Sequence, residues 1–406
     1  MRRVVITGIG VVSPIGSGRD PFWEALLAGK SGIGPVTSFD TAAFPVKIGA
    51  EVRDFEPGKH LRKLGPECMG RTSQLAIAAA RQCLEDSGLQ LAELGRRSAG
   101  VSIGTTSGEP QFIELHNDAR KGGGGLPGEG FRRYSCSVIS AHVAMELDLH
   151  GPAFTIPTAC AAGNHAIGHA FDLLRAGRLE AMLAGGADSF SRIPYMGFAR
   201  LGAIAPERCQ PFDRNRKGMV PGEGAAMLVL EEMEHAKARG AKIYAEVLGY
   251  GLSCDSHHMT ASHPEGDGAM RAMVAAMKES RVALGEVDYI SAHGTGTPTN
   301  DRVESIAICR LFGERAGRVP MSSIKSMVGH TMGAASAIEA AACAMALDTG
   351  WIPPTINHEE SDPEFELDYV PNQARHTSPR TVLNNAYAFG GNNASLCLRK
   401  FEGAAA

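Results

Sequence analysis

The chain states its plan twice. "AIAAARQCLEDSGLQLAELGRRSAGVSIGTTSG" (76–108) reads as a helix, a turn and a β-rich run ending in glycine and threonine, and "AMVAAMKESRVALGEVDYISAHGTGT" (272–297) repeats that order. Further on, "GPAFTIPTACAAGNHAIGHAFDLLRAG" (151–177) and "RVPMSSIKSMVGHTMGAASAIEAAACAMALDTG" (318–350) each pass from a short strand through a polar turn into a small-residue helix, closing at Gly177 or Gly350. Each is followed by an apolar strand with glycines, "EAMLAGGADS" (180–189) and "TVLNNAYAFGGNNAS" (381–395). Strands alternating with helices predict a layered α/β protein. Three successive units in one order predict a duplication. The expected halves are 1–245 and 246–403, with "EHAKARGAKIYAEVLGYG" (234–251) as the helix and strand that cross between them. Matching loops of the two halves should then meet at a shared interface, bringing Cys160 close to residues of the second half.

Composition narrows the field. Forty Lys and Arg against 44 Asp and Glu give no global charge that would favour nucleic acid or a membrane surface. No apolar run reaches the ~20 residues of a bilayer span, and "MRRVVITGIG" enters a strand at once without a leader's hydrophobic region, so a cytoplasmic location is expected. The nine cysteines stand singly, with no C-x-x-C pair, which argues against a disulfide framework or a zinc ribbon. "KGGGGLPGEG" (121–130) reads as a flexible loop. The opening "TGIGVVSPIG" (7–16) imitates a dinucleotide fingerprint, but Ser13 stands at the third glycine position and no acidic residue ends a second strand at the expected distance. A tight strand exit explains those glycines.

The reactive residues cluster in the polar turns. Cys160 sits between strand and helix in "TIPTACAAGNHAIGHA" (155–170). A thiol at a helix N-terminus meets unpaired N–H groups and the positive dipole end, which favour the thiolate and can hold an oxyanion. Ala159, Ala161, Ala162 and Gly163 leave room for a substrate carbonyl. Alone, such a cysteine is more often a packing residue. The second half adds His293 in "SAHGTGTPTND" (291–301), then Lys325, His330 and Glu339 in "SSIKSMVGHTMGAASAIEA" (322–340). "NAYAFGGNNASL" (385–396) adds Phe389, Gly390 and Gly391, a turn able to bend close to a ligand.

On these residues the chain resembles a β-ketoacyl-acyl carrier protein synthase of the type II class. The likeness runs from "VVITGIGVVSPIG" to "FGGNNASL", and the C-A-x-G, A-H-G-T-x-T-P, K-S-x-x-G-H and F-G-G-x-N motifs occur once each, in the family's order. The resemblance implies a thiolase fold, two αβαβα halves in five layers, usually a homodimer. It implies that Cys160 receives the acyl chain, that His293 and His330 grip the malonyl thioester carbonyl during decarboxylation, and that the N–H groups of Cys160 and Phe389 form the oxyanion hole. Gly390 and Gly391 complete the gate turn. Lys325, paired with Glu339, orders the site, while Thr295, Thr297 and Thr260 border the pantetheine arm.

No cofactor is implied beyond the 4'-phosphopantetheine on the acyl carrier protein. "CDSHHMTASHPEG" (254–266) holds Cys254, His257, His258 and His263, yet the spacing matches no standard zinc pattern and the resemblance makes this stretch a wall of the entrance, so no metal is expected. "KHLRK" (59–63), Arg71 and "RNRK" (214–217) are candidate contacts for an acidic carrier protein.

Departures from the family pattern bear on the substrate. Ser107, in "GTTSGEP" (104–110), stands where fatty-acid members carry a bulky aliphatic gate, which opens the acyl pocket to longer or unusual chains. "FRRYSCSVIS" (131–140) lacks the proline and paired aromatics common at that dimer-side position, and Asn392 replaces a threonine. Fatty acid elongation is the leading expectation. The alternative is a type II polyketide ketosynthase paired with a chain-length factor. A noncatalytic chain-length subunit lacks the cysteine that this chain has, and a degradative thiolase has a second cysteine that "FGGNNAS" lacks.

Overall fold

The computed structural model describes residues 2–92, 98–124 and 133–403, so most of the "KGGGGLPGEG" loop lies outside the described residues. In the first half the order is β1 (Val4–Ser13), α1 (Arg71–Ser87), β2 (Ala99–Gly104), α2 (Val138–Leu147), β3 (Ala153–Ile156), α3 (Ala162–Arg175), β4 (Ala181–Asp188) and β5 (Gly224–Glu232). The second half repeats it with β6 (Ala245–Cys254), α4 (Asp267–Ser280), β7 (Tyr289–Ser291), α5 (Pro298–Phe312), β8 (Met321–Ser322), α6 (Ala335–Thr349), β9 (Thr381–Tyr387) and β10 (Asn392–Lys400).

The pairing pattern repeats as well. β2 runs parallel to β3 and β4, as β7 runs parallel to β8 and β9. β4–β5 and β5–β1 are antiparallel, as are β9–β10 and β10–β6. The half-sheets join where Val4–Ile6 of β1 pair with 245–247 of β6. One continuous order results, β8-β7-β9-β10-β6-β1-β5-β4-β2-β3, in a sheet of 11 strands that also counts Gly16–Ser17 beside β1.

Five layers follow from the packing. α1 and α2 cover one half-sheet, α4 and α5 lie on the outer side of the other, and α3 and α6 touch strands of both half-sheets from between them. This is the thiolase-type arrangement that the family resemblance implied. Strands covered on both faces are continuous apolar runs. Every residue of β1, β4 and β9 is accordingly buried. α6 is buried from Ala335 to Leu347, as a helix without a polar face must be.

Small residues make the layers fit. A Cβ on Gly8 or Gly10 of β1 would stand 2.1 Å from the Cys83 carbonyl oxygen or 2.0 Å from that of Ala79, both on α1. The opening glycines therefore serve helix packing rather than a nucleotide. Between the sheets, a Cβ on Gly163 would come within 2.6 Å of the Ala337 nitrogen, so α3 and α6 cross nearly backbone to backbone. Among the described residues no helix is long and apolar enough to cross a membrane.

Candidate active site

Two turns, one at the start of each central helix, build the site. After β3 the chain reaches Ala159 at φ 49, makes a 3-10 turn over Ala159–Ala161 and enters α3. After β8 it passes the short helix Lys325–Val328 and His330, reaches Met332 at φ 53, and makes a 3-10 turn over Met332–Ala334 into α6. A non-glycine residue in left-handed backbone costs ~1–3 kcal/mol and persists only where packing imposes it. Its recurrence before both helices makes Gly333 the counterpart of Cys160.

Cys160, His293 and His330 are all buried and each brings one donor atom to within 4.8 Å of the others. The two imidazole rings stand 5.5 Å apart at 84°. Their far sides are pinned. The Met332 N–H donates to His330 Nδ1 at 3.2 Å. Lys325 Nζ lies 3.3 Å from His293 Nδ1, donates to the His293 carbonyl at 2.6 Å and pairs closely with Glu339. With both Nδ1 atoms accepting, each neutral ring carries its proton on Nε2. A metal ion would need those Nε2 lone pairs, so the trio presents a thiol and two N–H donors instead.

Electrostatics keep the rings neutral. Burial pushes both histidines well below the usual 6.5, and the Lys325 charge pushes the same way. Glu304 accepts the His293 and Gly294 N–H groups at 2.8 Å each, and burial raises its carboxyl to about 8. Burial also lifts Glu339 to about 7 against the pull of Lys325.

The thiol departs from expectation. Burial drives Cys160 up to about 12, with Lys325 opposing and Asp188 and Glu339 adding to the rise. Desolvation of a thiolate outweighs the favourable helix terminus in the closed chamber. Cys160 therefore rests as a thiol.

The chamber itself is small, about 90 Å³. Cys160, His293, His330, Thr295, Thr297 and Thr260 all line it. So does Phe389, which is 40% exposed and leans on Phe198 with ring centroids 5.9 Å apart. Gly390 and Gly391, at φ 81 and 74, carry the turn behind that ring, and the Gly390 N–H donates to the Met259 carbonyl. Lys325 and Glu339 stand behind His293, buried away from the chamber. Ser107 lies apart from it too, its N–H donating to Asp188 at 3.0 Å.

Arg71, expected among the entrance cations, instead binds Glu223 and the Val52 carbonyl inside the first half. Within "RNRK", Arg216 reaches the Pro298 carbonyl at 3.2 Å, next to Thr297, but its side chain is largely buried and pairs with Asp362 at 3.1 Å, and Arg214 pairs with Glu360. Sequence reasoning missed Glu304, Asp188 and the Asn164–Asn384 pair, whose side chains join α3 to β9 at 2.9 Å. Asp188 had a visible signal, an acid closing the apolar strand "EAMLAGGAD".

A duplicated five-layer fold with a cysteine and two histidines at the central helix termini defines a class, and the chain belongs to the β-ketoacyl synthase family. Residues 1–236 match the model of the family's N-terminal domain and 244–359 that of its C-terminal domain. A 3-oxoacyl-[acyl-carrier-protein] synthase 2 of Coxiella burnetii is 43% identical over 98% of this chain and 99% of its own length. The structure described as the ishigamide ketosynthase/chain length factor superposes with a TM-score of 0.96 at 45% identity, covering 99% of this chain and 100% of that one. A type II polyketide ketosynthase solved with its acyl carrier protein, AntDE:AntF, gives 0.90 at 33% identity over 99% and 100%.

Proposed function

We propose that this protein is a 3-oxoacyl-[acyl-carrier-protein] synthase, an acyltransferase that joins malonyl-carrier protein to an acyl chain held on Cys160 by decarboxylative Claisen condensation. The observation that carries the reading is the pair of neutral imidazoles whose Nε2 protons share a chamber with the Cys160 thiol. Decarboxylation generates its own carbanion, so the site needs hydrogen-bond donors for an enolate oxygen rather than a strong base.

The steps balance with one proton taken up from solvent. Cys160 attacks the acyl thioester, and its proton leaves with the departing pantetheine thiol. Malonyl thioester then loses carbon dioxide, its enolate oxygen accepting from His293 and His330. The enolate carbon attacks the Cys160 thioester, with the tetrahedral oxygen held by the Cys160 and Phe389 N–H groups. Collapse releases the β-ketoacyl chain, two carbons longer, and leaves a Cys160 thiolate that takes a proton from solvent. Lys325 and Glu339 act through His293, holding its tautomer and orientation. Thr295, Thr297 and Thr260 border the pantetheine arm, and Phe389 moves with Gly390 and Gly391 to widen a chamber too small for that arm.

In this reading the halves are 1–245 and 246–403, the partner is acyl carrier protein, and the enzyme works in the cytoplasm as a homodimer with no cofactor of its own. Fatty acid elongation accounts for the site. A second reading, a polyketide ketosynthase paired with a chain-length factor, is favoured by the 45% identity to the ishigamide protein and by Ser107. Intact-protein mass spectrometry with carrier proteins bearing graded acyl chains separates the two. Saturated chains added to Cys160 support fatty acid elongation, loading of only short or unsaturated polar chains supports the polyketide reading, and no adduct of any chain overturns both.

A further inference from the structure

Asp188 closes β4 and is 1% exposed. Its carboxylate accepts four hydrogen bonds: Thr105 Oγ1 at 2.9 Å, the N–H groups of Thr106 at 2.7 Å and Ser107 at 3.0 Å, and the Gly333 N–H at 2.6 Å. Three of these fix the turn after β2, which carries Ser107. The fourth crosses to the second half, to the residue after Met332, whose own N–H pins His330 Nδ1. Within the first turn the Gly108 N–H donates to Thr105 Oγ1 at 3.1 Å, while Thr106 Oγ1 and, in the second, Thr331 Oγ1 are buried without a hydrogen-bond partner. There is also no slack between the turns: a Cβ on Gly333 would stand 2.5 Å from the Thr105 carbonyl carbon, and one on Gly186 2.5 Å from the Gly333 oxygen.

We propose that Asp188 is a positioning residue that couples the acyl-chain side of the site to the decarboxylating side, by tying the Thr105–Ser107 turn and the His330 turn to one carboxylate. The inference rests on the condensation reading and on the family resemblance, which places Ser107 beside the acyl chain beyond the chamber. A chain that displaces the Thr105–Ser107 turn moves the same carboxylate that sets the Gly333 and Met332 N–H groups, and so the aim of His330. The geometry asks for an acceptor only. All four partners are donors, so an amide in place of the carboxylate sets its NH₂ against one of them. Burial raises the carboxyl to about 6, with the donors pulling it down, which leaves it ionised at neutral pH.

The experiment compares wild type with Asp188→Asn, Asp188→Glu and Thr105→Val. It measures acyl loading on Cys160 by intact mass across chain lengths, condensation kcat and malonyl-carrier KM, and melting temperature. Asp188→Asn is expected to load short chains within about threefold of wild type while condensation kcat falls about tenfold or more at nearly unchanged KM. Its preference among longer chains should shift as well. Asp188→Glu, which keeps four acceptor sites, should recover part of kcat, and Thr105→Val should move in the same direction as Asp188→Asn by less. If Asp188→Asn does not fold, Thr105→Val decides. Wild-type kcat with an unaltered chain profile in the folded variants overturns the coupling. So does an equal loss of loading and condensation together with a lowered melting temperature, the mark of a purely structural residue. Failure of wild type to load or condense any chain is a different result, and overturns the condensation reading instead.

Discussion

The N-termini of α3 and α6 are the same device put to two uses. Each follows a short parallel strand, a left-handed residue and a 3-10 turn, and each exposes helix N–H groups at the C-terminal end of a half-sheet. At α3 the turn carries Cys160 and faces a chamber. At α6 the corresponding Gly333 has no side chain, and its N–H is already taken by Asp188 from the other half. A duplication creates two anion-binding turns. One faces the chamber, where the proposed reaction places a substrate oxyanion, and the other is filled by the protein's own carboxylate, which joins the halves.

The sharpest way to break this comparison is to remove what makes the α3 turn reactive. Cys160→Ala should abolish acyl loading and reduce condensation by about 10³-fold or more, with the mass adduct as readout. Condensation persisting near wild-type rate would make the two turns chemically equivalent. Next comes Lys325, 1% exposed in its side chain and held against a Glu339 that is 2% exposed. Lys325→Ala strands a buried carboxyl and should cost ~3–5 kcal/mol in denaturant unfolding. Lys325→Ala with Glu339→Ala should recover much of that cost.

At the α6 turn, Gly333→Ala forces a Cβ into the Thr105–Thr106 backbone and is expected to cost ~1–3 kcal/mol. The same test probes the joint without touching a charge. His330 supplies a pH test of the contrast. Its pKa is lower folded than unfolded, so the stability it contributes is present above 6.5 and is lost as pH falls below that value. Glu304 and Glu339 are raised and act with the opposite sign, so the measurement is the difference between wild type and His330→Asn. That difference should shrink by up to ~1.4 kcal/mol per pH unit below 6.5. The smallest effect belongs to Ala159, where glycine relieves the left-handed backbone at φ 49; Ala159→Gly should change stability by no more than ~1 kcal/mol while slowing acyl transfer through a looser turn.

Much of this was legible in the chain. The repeated order of strands, turns and small-residue helices carried the duplicated α/β plan, because burial on both faces and close helix packing write themselves as apolar runs and glycine spacings, and the family motifs carried the five layers. Cys160, His293 and His330 were legible as candidates because they stand in polar turns at strand ends, inside the motifs that carry the family resemblance. Glu304 was not, and Asp188 showed only as an acid closing an apolar strand, with no sign of its partners. Each matters through backbone N–H groups that come to it from the folded chain, across 10 or 11 residues for Glu304 and 145 for Asp188 and Gly333. Composition and periodicity carry no record of such partners.

The thiol marks the same boundary. Sequence places Cys160 at a helix N-terminus and so predicts an acidified sulfur; the fold buries it and reverses the balance, because desolvation depends on everything packed around the atom. The sequence by itself determined the duplicated order of strands and helices and, through the family motifs, the layer plan and the candidate reacting groups, since these follow from local pattern and motif. Only the tertiary structure decided which of the two matching turns stays open, which ring nitrogen holds each proton and whether the cysteine rests charged, because those depend on distances of a few ångströms between segments far apart in the chain.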